Sequence, residues 1–462
     1  MALLTQRSTH YNNKQQGVQR SLFLCYNISI MKLSEELIWR GFQAETTVKN
    51  PTDLDNRESK KFYLGADPSA DSLTIGNLAA LMMCACFVRH GYKPYLLVGG
   101  ATGQIGDPKE TGERDLKTLE EIEHNKACIK KQMESVVSPE GAANTKGDGD
   151  AENDDWEVTM VDNYDWFKDI NYLEFLRSVG KAFSMTQLLD RKFIQNRIGE
   201  GGSGISYAEF SYTLIQGYDF WHLYKEYGID LQLCGADQFG NASTGIRLIN
   251  KFENANADVW STPLIIDPVT GRKFGKSEGN AIWLSAKDNG SGNYTSVFDF
   301  YQFWLNQPDE SVEYLLKIYT VYSKEEIESI LAEHKAAPEK RVAQKALAKG
   351  VTEVVHGKTS ANAAITLTEI LFGGKKLGIL SETEIESIAL LLPTLKLSED
   401  RPQINIVDAL VEAELVSSKT EARNMIKSNA ISVNGEKVTD ESFAIMSLAI
   451  IKRGKNKFAL VR

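Results

Sequence analysis

Two lysines three residues apart, Lys273 and Lys276, stand in the glycine-punctuated stretch Lys273-Phe274-Gly275-Lys276-Ser277-Glu278-Gly279-Asn280. A lysine ammonium on its flexible stem can follow a phosphate group as the geometry changes, so the stretch suits polyphosphate handling. Alone, it is also what any exposed basic loop looks like. A second stretch, Gly65-Ala66-Asp67-Pro68-Ser69-Ala70-Asp71-Ser72-Leu73-Thr74-Ile75-Gly76-Asn77, adds to the weight. Gly65 and Gly76 remove side chains where a ligand would approach backbone. The helix that follows would offer unpaired N–H groups and positive potential to phosphate.

Two further groupings could hold organic ligands. In Tyr212-x3-Gln216-x2-Asp219 the three polar residues share one helical face, preceded by Tyr207 and Glu209 and flanked by Phe210, Leu214, Ile215, Phe220 and Trp221. The stripe reads either as an exposed polar face or, with such flanks, as a half-buried one. A buried carboxylate needs a donor, which a ligand hydroxyl or amine would supply. In Leu233-Cys234-Gly235-Ala236-Asp237-Gln238-Phe239-Gly240-Asn241, a strand end opens into a loop. There Asp237 either accepts from ribose hydroxyls or is a helix N-cap.

The elements that must position these groups follow a β-α-β pattern. Residues 62–64 predict a strand, 77–90 a small-residue helix, and 95–98 a second strand running into Gly99-Gly100. Strands alternating with helices imply a doubly wound parallel α/β sheet, Rossmann-like, with right-handed crossovers. Its ligands would sit at the carboxyl ends of the strands, where the Gly65 and Gly99-Gly100 loops fall.

We expect an extension over residues 1–31, a catalytic domain over 32–290, an α-helical domain over 291–395 and a small α+β domain over 403–462. The extension carries Arg7, Lys14 and Arg20 without an acid. It reads either as a mitochondrial presequence or as a dispensable tail before a helix patterned by Leu33, Leu37, Ile38 and Phe42. Residues 139–155 hold six acids and one lysine and read as a solvated loop insertion. Ser323 and Glu326 form a capping box in the helical region. In the last unit Lys419, Arg423 and Lys427 fall four apart on one helical face, and Asn434-Gly435 predicts a type I′ hairpin. With Lys452, Arg453, Lys455 and Lys457 nearby, this unit favours RNA.

The chain has 462 residues, 42% hydrophobic and 25% charged, a globular composition that excludes a mainly disordered or fibrous chain. Its longest apolar run, residues 78–88, is too short to span a bilayer. Five cysteines without a CxxC pair argue against a zinc site or a disulfide framework, and for a reducing compartment. A net charge of -10 means that RNA contact must use a local basic face.

Taken in order, these stretches resemble class I aminoacyl-tRNA synthetases, specifically the bacterial or organellar type of tyrosyl-tRNA synthetase, over roughly residues 32–462. Gly-Gly-Ala-Thr-Gly-x-Ile-Gly-Asp-Pro at 99–108 and Tyr-Ala-Glu-Phe-Ser-Tyr at 207–212 carry the likeness. Pro338-Glu339-Lys340-Arg341 and a C-terminal unit like a small ribosomal-protein RNA-binding fold extend it. The resemblance implies a tyrosine–tRNA ligase using ATP, with Mg2+ carried on the nucleotide and no resident metal. It implies a homodimer, cytoplasmic unless the extension directs import.

Residue by residue, Tyr63 and Asp219 would bracket the substrate phenol, and Tyr212, Gln216 and Asp107 would hold its amino group. Asp67 and Gln238 would lie against its backbone. Gly235 and Asp237 would lie against the adenosine ribose, Ser69, Thr74, Lys273, Lys276 and Ser277 would serve the triphosphate, and Gly65, Gly76 and Asn77 would also bind ATP. Lys419, Arg423, Lys427, Lys452 and Arg453 would meet tRNA.

Thr74 and Asn77 stand where the family usually carries two histidines, a pattern like the sister tryptophanyl enzymes. Residues 109–114 run one short of the usual pattern, with Lys109 or Arg114 as the basic residue expected there. Two alternatives therefore stand beside the tyrosine ligase: a tryptophan ligase, and a synthetase-derived RNA-binding protein that no longer catalyses. Retention of Lys273, Lys276, Asp107 and Asp237 counts against the last.

Overall fold

The computed structural model describes residues 31–108, 116–138, 158–189, 192–199, 201–266, 276–277, 280–454 and 457–462. The N-terminal extension, Lys109, Arg114, the acidic stretch 139–155, Lys273 and Lys455 lie outside them.

Five parallel strands form the central sheet: β1 (Lys61–Ala66), β2 (Lys93–Val98), β3 (Thr159–Asp162), β4 (Leu231–Gly235) and β5 (Asp258–Thr262), in the order β3-β2-β1-β4-β5. The chain winds outward from β1 in one direction and returns at β4 to wind in the other. The crevice of such a sheet opens where the order reverses, at the carboxyl ends of β1 and β4. Phe62, Tyr63 and Leu64 of β1 are buried, as are the first four residues of β4, consistent with strands covered on both faces.

Helix α1 (Leu33–Arg40) ends at Gly41, whose φ of 86° sets the left-handed cap. Helix α2 (Ile75–Arg89) has eleven buried residues and packs against α1, α3 (Leu119–Val137) and α7 (Asp309–Tyr319). That enclosure explains why its sequence is apolar nearly all round. Helices α4 (Tyr207–Tyr227) and α5 (Phe239–Glu253) press together so closely that a Cβ on Gly245 would lie 2.5 Å from Phe220 Cβ. The expected strand and helix positions hold within a few residues. One core assignment does not: Ile38 is half exposed, because α1 turns Leu33 and Leu37 inward.

Beyond α6 (Val297–Leu305), α7, α8 (Lys324–Ala336), α9 (Val342–Phe372) and α10 (Glu382–Ala389) build a helical layer. The Ser323–Glu326 capping box is present at α8. Buried Arg40 fastens this layer to the first helix, donating to the carbonyls of Lys317, Thr320 and Tyr322.

The C-terminal five-stranded sheet runs Glu436–Lys437, Ile431–Val433, Ala449–Arg453, Lys457–Val461, Thr394–Leu395. Its outermost strand comes from the end of the span expected to be helical, and Phe458 and Leu460 pack with Phe298, Leu367 and Ile388. The hairpin is as predicted: Val433 pairs with Glu436, and Asn434 and Gly435 have φ of 52° and 89°. Among the described residues no helix is long and apolar enough to cross a membrane.

Candidate active site

The crevice at β1 and β4 gathers residues from five separated stretches into one hydrogen-bonded network. Asp219, on the inner face of α4 and 2% exposed, accepts at Oδ2 from Asn163 Nδ2 at 3.1 Å and at Oδ1 from Trp166 Nε1 at 2.9 Å. Burial pushes its carboxyl well above the ordinary carboxylate range, against the pull of those two donors. Fully buried Asn163 also donates to Thr102 Oγ1 at 3.1 Å and accepts from Ala101 N at 2.7 Å. Thr102 Oγ1 in turn donates to Asp67 Oδ1 at 2.7 Å, and Tyr212 OH donates to Asp67 Oδ2 at 2.8 Å.

Asp107 extends the network, accepting from Gln238 Nε2 at 2.9 Å, while Asn241 Nδ2 donates to Gln238 Oε1 at 3.2 Å. The Gly99-Gly100 turn makes room for this arrangement. A Cβ on Gly99 would lie 2.3 Å from Asp67 Oδ1, and one on Gly100 would lie 2.2 Å from Asp162 Oδ1, which accepts from Gly100 N. These glycines admit carboxylates against the backbone.

Two buried polar atoms on this wall have no protein partner among the described residues: Tyr63 OH and Gln216 Oε1. The Tyr63 phenol is raised well above its ordinary value by burial and by nearby Asp219, so it stays protonated. Buried hydroxyls and amides are nearly always satisfied, and these two are the exceptions to be explained. Tyr63 and Asp219 together suit a ligand hydroxyl. Asp67, Asp107 and Gln216 are an acceptor-rich group that suits an ammonium. The stripe is more buried than half, since α5 and residues 163–166 close over it.

The loop between β1 and α2 is built differently. Thr74 N and Oγ1 both donate to Asn77 Oδ1 at 3.0 Å, so the pair caps α2, and Asn77 Nδ2 has no partner among the described residues. Both were expected to donate to phosphate; the Thr74 hydroxyl is instead turned to Asn77. The backbone of Lys276–Ser277 (β6) pairs antiparallel with Asn280–Ala281 (β7), a short hairpin. The next residues lie along the first loop, Ile75 N–H donating to Ile282 O at 3.1 Å and Leu284 N–H to Leu73 O at 2.8 Å. Lys276 and Thr74 thus belong to adjoining backbone segments. Ser69 N–H donates to Asp67 O. Asp237 is exposed at the end of β4, and α5 starts after Gln238 without a side-chain cap, which removes the N-cap reading of Asp237.

In the C-terminal unit Lys419 pairs with Asp408, and Arg423 and Lys427 with Glu441, all on the surface, where such pairs exchange readily. Lys452 lies over the Phe372 and Phe458 rings. Arg453 binds the Leu415 carbonyl and Glu421 at 2.7 Å, which commits it to holding the domain together. Glu36, Cys86 and His90 come within metal-ligating distance of one another, but Arg40 and Arg89 already occupy the Glu36 carboxylate.

Sequence reasoning missed Asn163, Trp166, Thr102 and Asn241. Thr102 lay inside a quoted motif, yet nothing in its spacing marked it as the bridge between Asp67 and Asn163.

The family model for tRNA synthetases class I (W and Y) matches residues 55–373, and that for the tyrosine–tRNA ligase SYY-like C-terminal domain matches 384–461. Tyrosine–tRNA ligase 1 of Streptococcus thermophilus (strain CNRZ 1066) is 40% identical over 436 residues, 92% of this chain and 99% of the relative. The tyrosine–tRNA ligase of Bacteroides thetaiotaomicron is 38% identical over 446 residues, 93% and 99% of the two chains. Among solved structures, a C-terminally truncated mitochondrial tyrosyl-tRNA synthetase of Aspergillus nidulans matches with a TM-score of 0.64 and 28% identity, over 78% of this chain and all of that one. With its crevice and its C-terminal unit in this order, the chain belongs to the class I tRNA synthetases of the tryptophan and tyrosine group.

Proposed function

We propose that the chain is a tyrosine–tRNA ligase. It activates L-tyrosine with ATP to tyrosyl-adenylate and pyrophosphate, then passes the tyrosyl group to the 3′-terminal ribose of tRNA(Tyr). One observation carries the choice of amino acid: the buried, unpartnered hydroxyl of Tyr63 beside buried Asp219. A phenol satisfies both. Phenylalanine would leave the Tyr63 hydroxyl buried and unpaired, which is costly. An indole N–H could meet Asp219, but an indole has no acceptor to offer the Tyr63 hydroxyl, which would stay buried and unpaired.

In the first step the tyrosine carboxylate attacks the α-phosphorus of ATP in line, and pyrophosphate leaves. Such a reaction needs alignment and charge stabilisation more than a protein nucleophile. Asp67, Tyr212, Asp107, Gln216 and Gln238 would hold the amino acid so that its carboxylate faces the nucleotide. Gly65, Gly76, Gly235, Asp237 and Ser69 would hold ATP. Lys273, Lys276, Ser277, Thr74 and Asn77 would stabilise the departing pyrophosphate. Magnesium enters with the nucleotide, held by phosphates and water.

The domain plan is that of the sequence reading, with the strand Thr394–Leu395 assigned to the C-terminal RNA-binding unit. That unit would dock tRNA through Lys419, Arg423 and Lys427. A homodimer is what the family resemblance implies, and the exposed Tyr172, Leu173, Met185 and Tyr207 side chains are open to a partner. The compartment is the cytoplasm, or a mitochondrion if residues 1–30 direct import.

ATP–pyrophosphate exchange with each of tyrosine, tryptophan and phenylalanine tests the reading. Exchange should depend on tyrosine; a preference for tryptophan, or no exchange with any of the three, refutes it.

A further inference from the structure

The two phosphate loops are joined by more than their backbone seam. Ser72 Oγ accepts from Ser285 N at 2.9 Å and from Gln132 Nε2 at 3.2 Å, and Gln132 Oε1 accepts from Leu73 N at 2.8 Å. One residue earlier stands Asp71, 1% exposed. Its Oδ1 accepts from Ser291 Oγ at 2.6 Å and from Asn293 Nδ2 at 2.9 Å, and its carbonyl accepts from Asn289 Nδ2 at 3.3 Å. All three donors come from one loop, residues 288–293. That loop holds its own shape, since Asp288 Oδ1 accepts from Gly290 N and Gly292 N, both glycines having positive φ.

An enclosed carboxylate is an expensive way to anchor a surface loop. Asp71 Oδ2 is buried without a partner among the described residues, and such desolvation is a net cost to stability unless fully compensated. Its retention is explained by what the loop is attached to. Residues 282–285 lead from the Lys276 hairpin into it, and they are the segment paired with residues 72–75.

We propose that Asp71 is a positioning residue for the adenylate-forming step. By fastening residues 288–293 it fixes the trailing end of the Lys276 hairpin against Thr74 and the start of α2. Without this clamp the seam and the Ser72 and Gln132 bonds still form, but the loop beyond Ser285 loses its anchor, and the lysine meets the phosphates in fewer of its positions. Misplacement of a charge-stabilising group by about 1 Å is enough to cost up to ~100-fold in rate. Asp71 touches no reacting atom; it acts through the loop.

This inference rests on the ligase reading, so unmodified protein exchanging tyrosine-dependent pyrophosphate is the control; failure there falls on that reading. The test removes the donors and leaves Asp71 alone, in the double variant S291A/N293A of the full chain. Its kcat for pyrophosphate exchange should fall by about tenfold, with the KM for tyrosine and the melting temperature within error of the parent. D71N, which keeps an acceptor oxygen for Ser291 and Asn293, should recover at least half of the parental kcat. An unchanged kcat in the double variant overturns the proposal. So does a loss that merely follows the fraction of folded protein, or D71N as impaired as the double variant.

Discussion

The two ends of the cleft solve opposite problems with opposite materials. At the amino-acid end Asp219, Asn163 and Tyr63 are enclosed, and nearly every polar atom is fixed by another across the sheet. At the phosphate end Asn77 and Gly76 are exposed and the recognisable parts are loops and a helix start. Selecting one side chain among twenty calls for buried groups that are penalised when left unmatched. Stabilising a phosphate whose charge migrates calls for cations that can follow it. Selectivity is therefore lodged in buried, hydrogen-bonded side chains, rate in loop residues and a helix start.

By that division, the largest loss should come from the loop lysine. Lys276→Ala should lower the rate of adenylate formation by about 1000-fold while tyrosine binding shifts less than ~2-fold. Pre-steady-state kinetics against tyrosine titration separates the two. Equal losses in both would make Lys276 a structural residue and dissolve the contrast.

Asp219→Ala should show the reverse pattern. Removing the carboxylate strips one partner from the substrate, leaves Trp166 Nε1 a buried donor without its acceptor and leaves Asn163 Nδ2 only its bond to Thr102, a cost of about 3 kcal/mol. The kcat/KM for tyrosine should fall about 100-fold, mostly through KM. A loss confined to kcat would mean that Asp219 takes part in the chemistry.

The contrast also shows what the sequence could disclose. The parallel sheet, the carboxyl-end crevice and the stripe of Tyr212, Gln216 and Asp219 were legible because period and glycine placement are local properties. The same holds for the Asn434-Gly435 hairpin. Asn163 and Trp166 were not. They follow a four-residue strand behind an acidic stretch, and Val-Asp-Asn-Tyr-Asp-Trp reads as a polar turn until the sheet puts β3 beside β2. The strand Thr394–Leu395 was hidden for the same reason, since two residues carry no period and only their partner, Lys457–Val461, defines them. Arg453 looked like part of a basic cluster because charge is visible in sequence, while its commitment to Leu415 and Glu421 is tertiary.

Tyr63→Phe probes the buried end more finely. The lost hydroxyl has no protein partner among the described residues, so the free protein should be as stable as the parent or up to ~1 kcal/mol more so. Tyrosine KM should nonetheless rise about fivefold, the worth of one neutral hydrogen bond. Thermal melts with and without tyrosine read both quantities. A destabilised free protein would show that the hydroxyl serves the fold.

The smallest effect should come from Asn77, and it bears on the substitution that sets this chain apart. Asn77 Oδ1 takes two donors from Thr74, so Asn77→Ala removes the cap from α2 and should cost about 1 kcal/mol of stability. It also releases the Thr74 hydroxyl, which can then turn to a phosphate oxygen and offset the loss of the Asn77 amide. The kcat for adenylate formation should fall no more than about fivefold, roughly one hydrogen bond. A 100-fold loss with unchanged melting would place Asn77 beside Lys276 as a group acting directly on the phosphates. The exposed end of the cleft would then hold a fixed donor as well as mobile ones. A 1 kcal/mol loss of stability with near-parental kcat would mean that Thr74 and Asn77 chiefly shape the helix start, leaving charge stabilisation to the lysines.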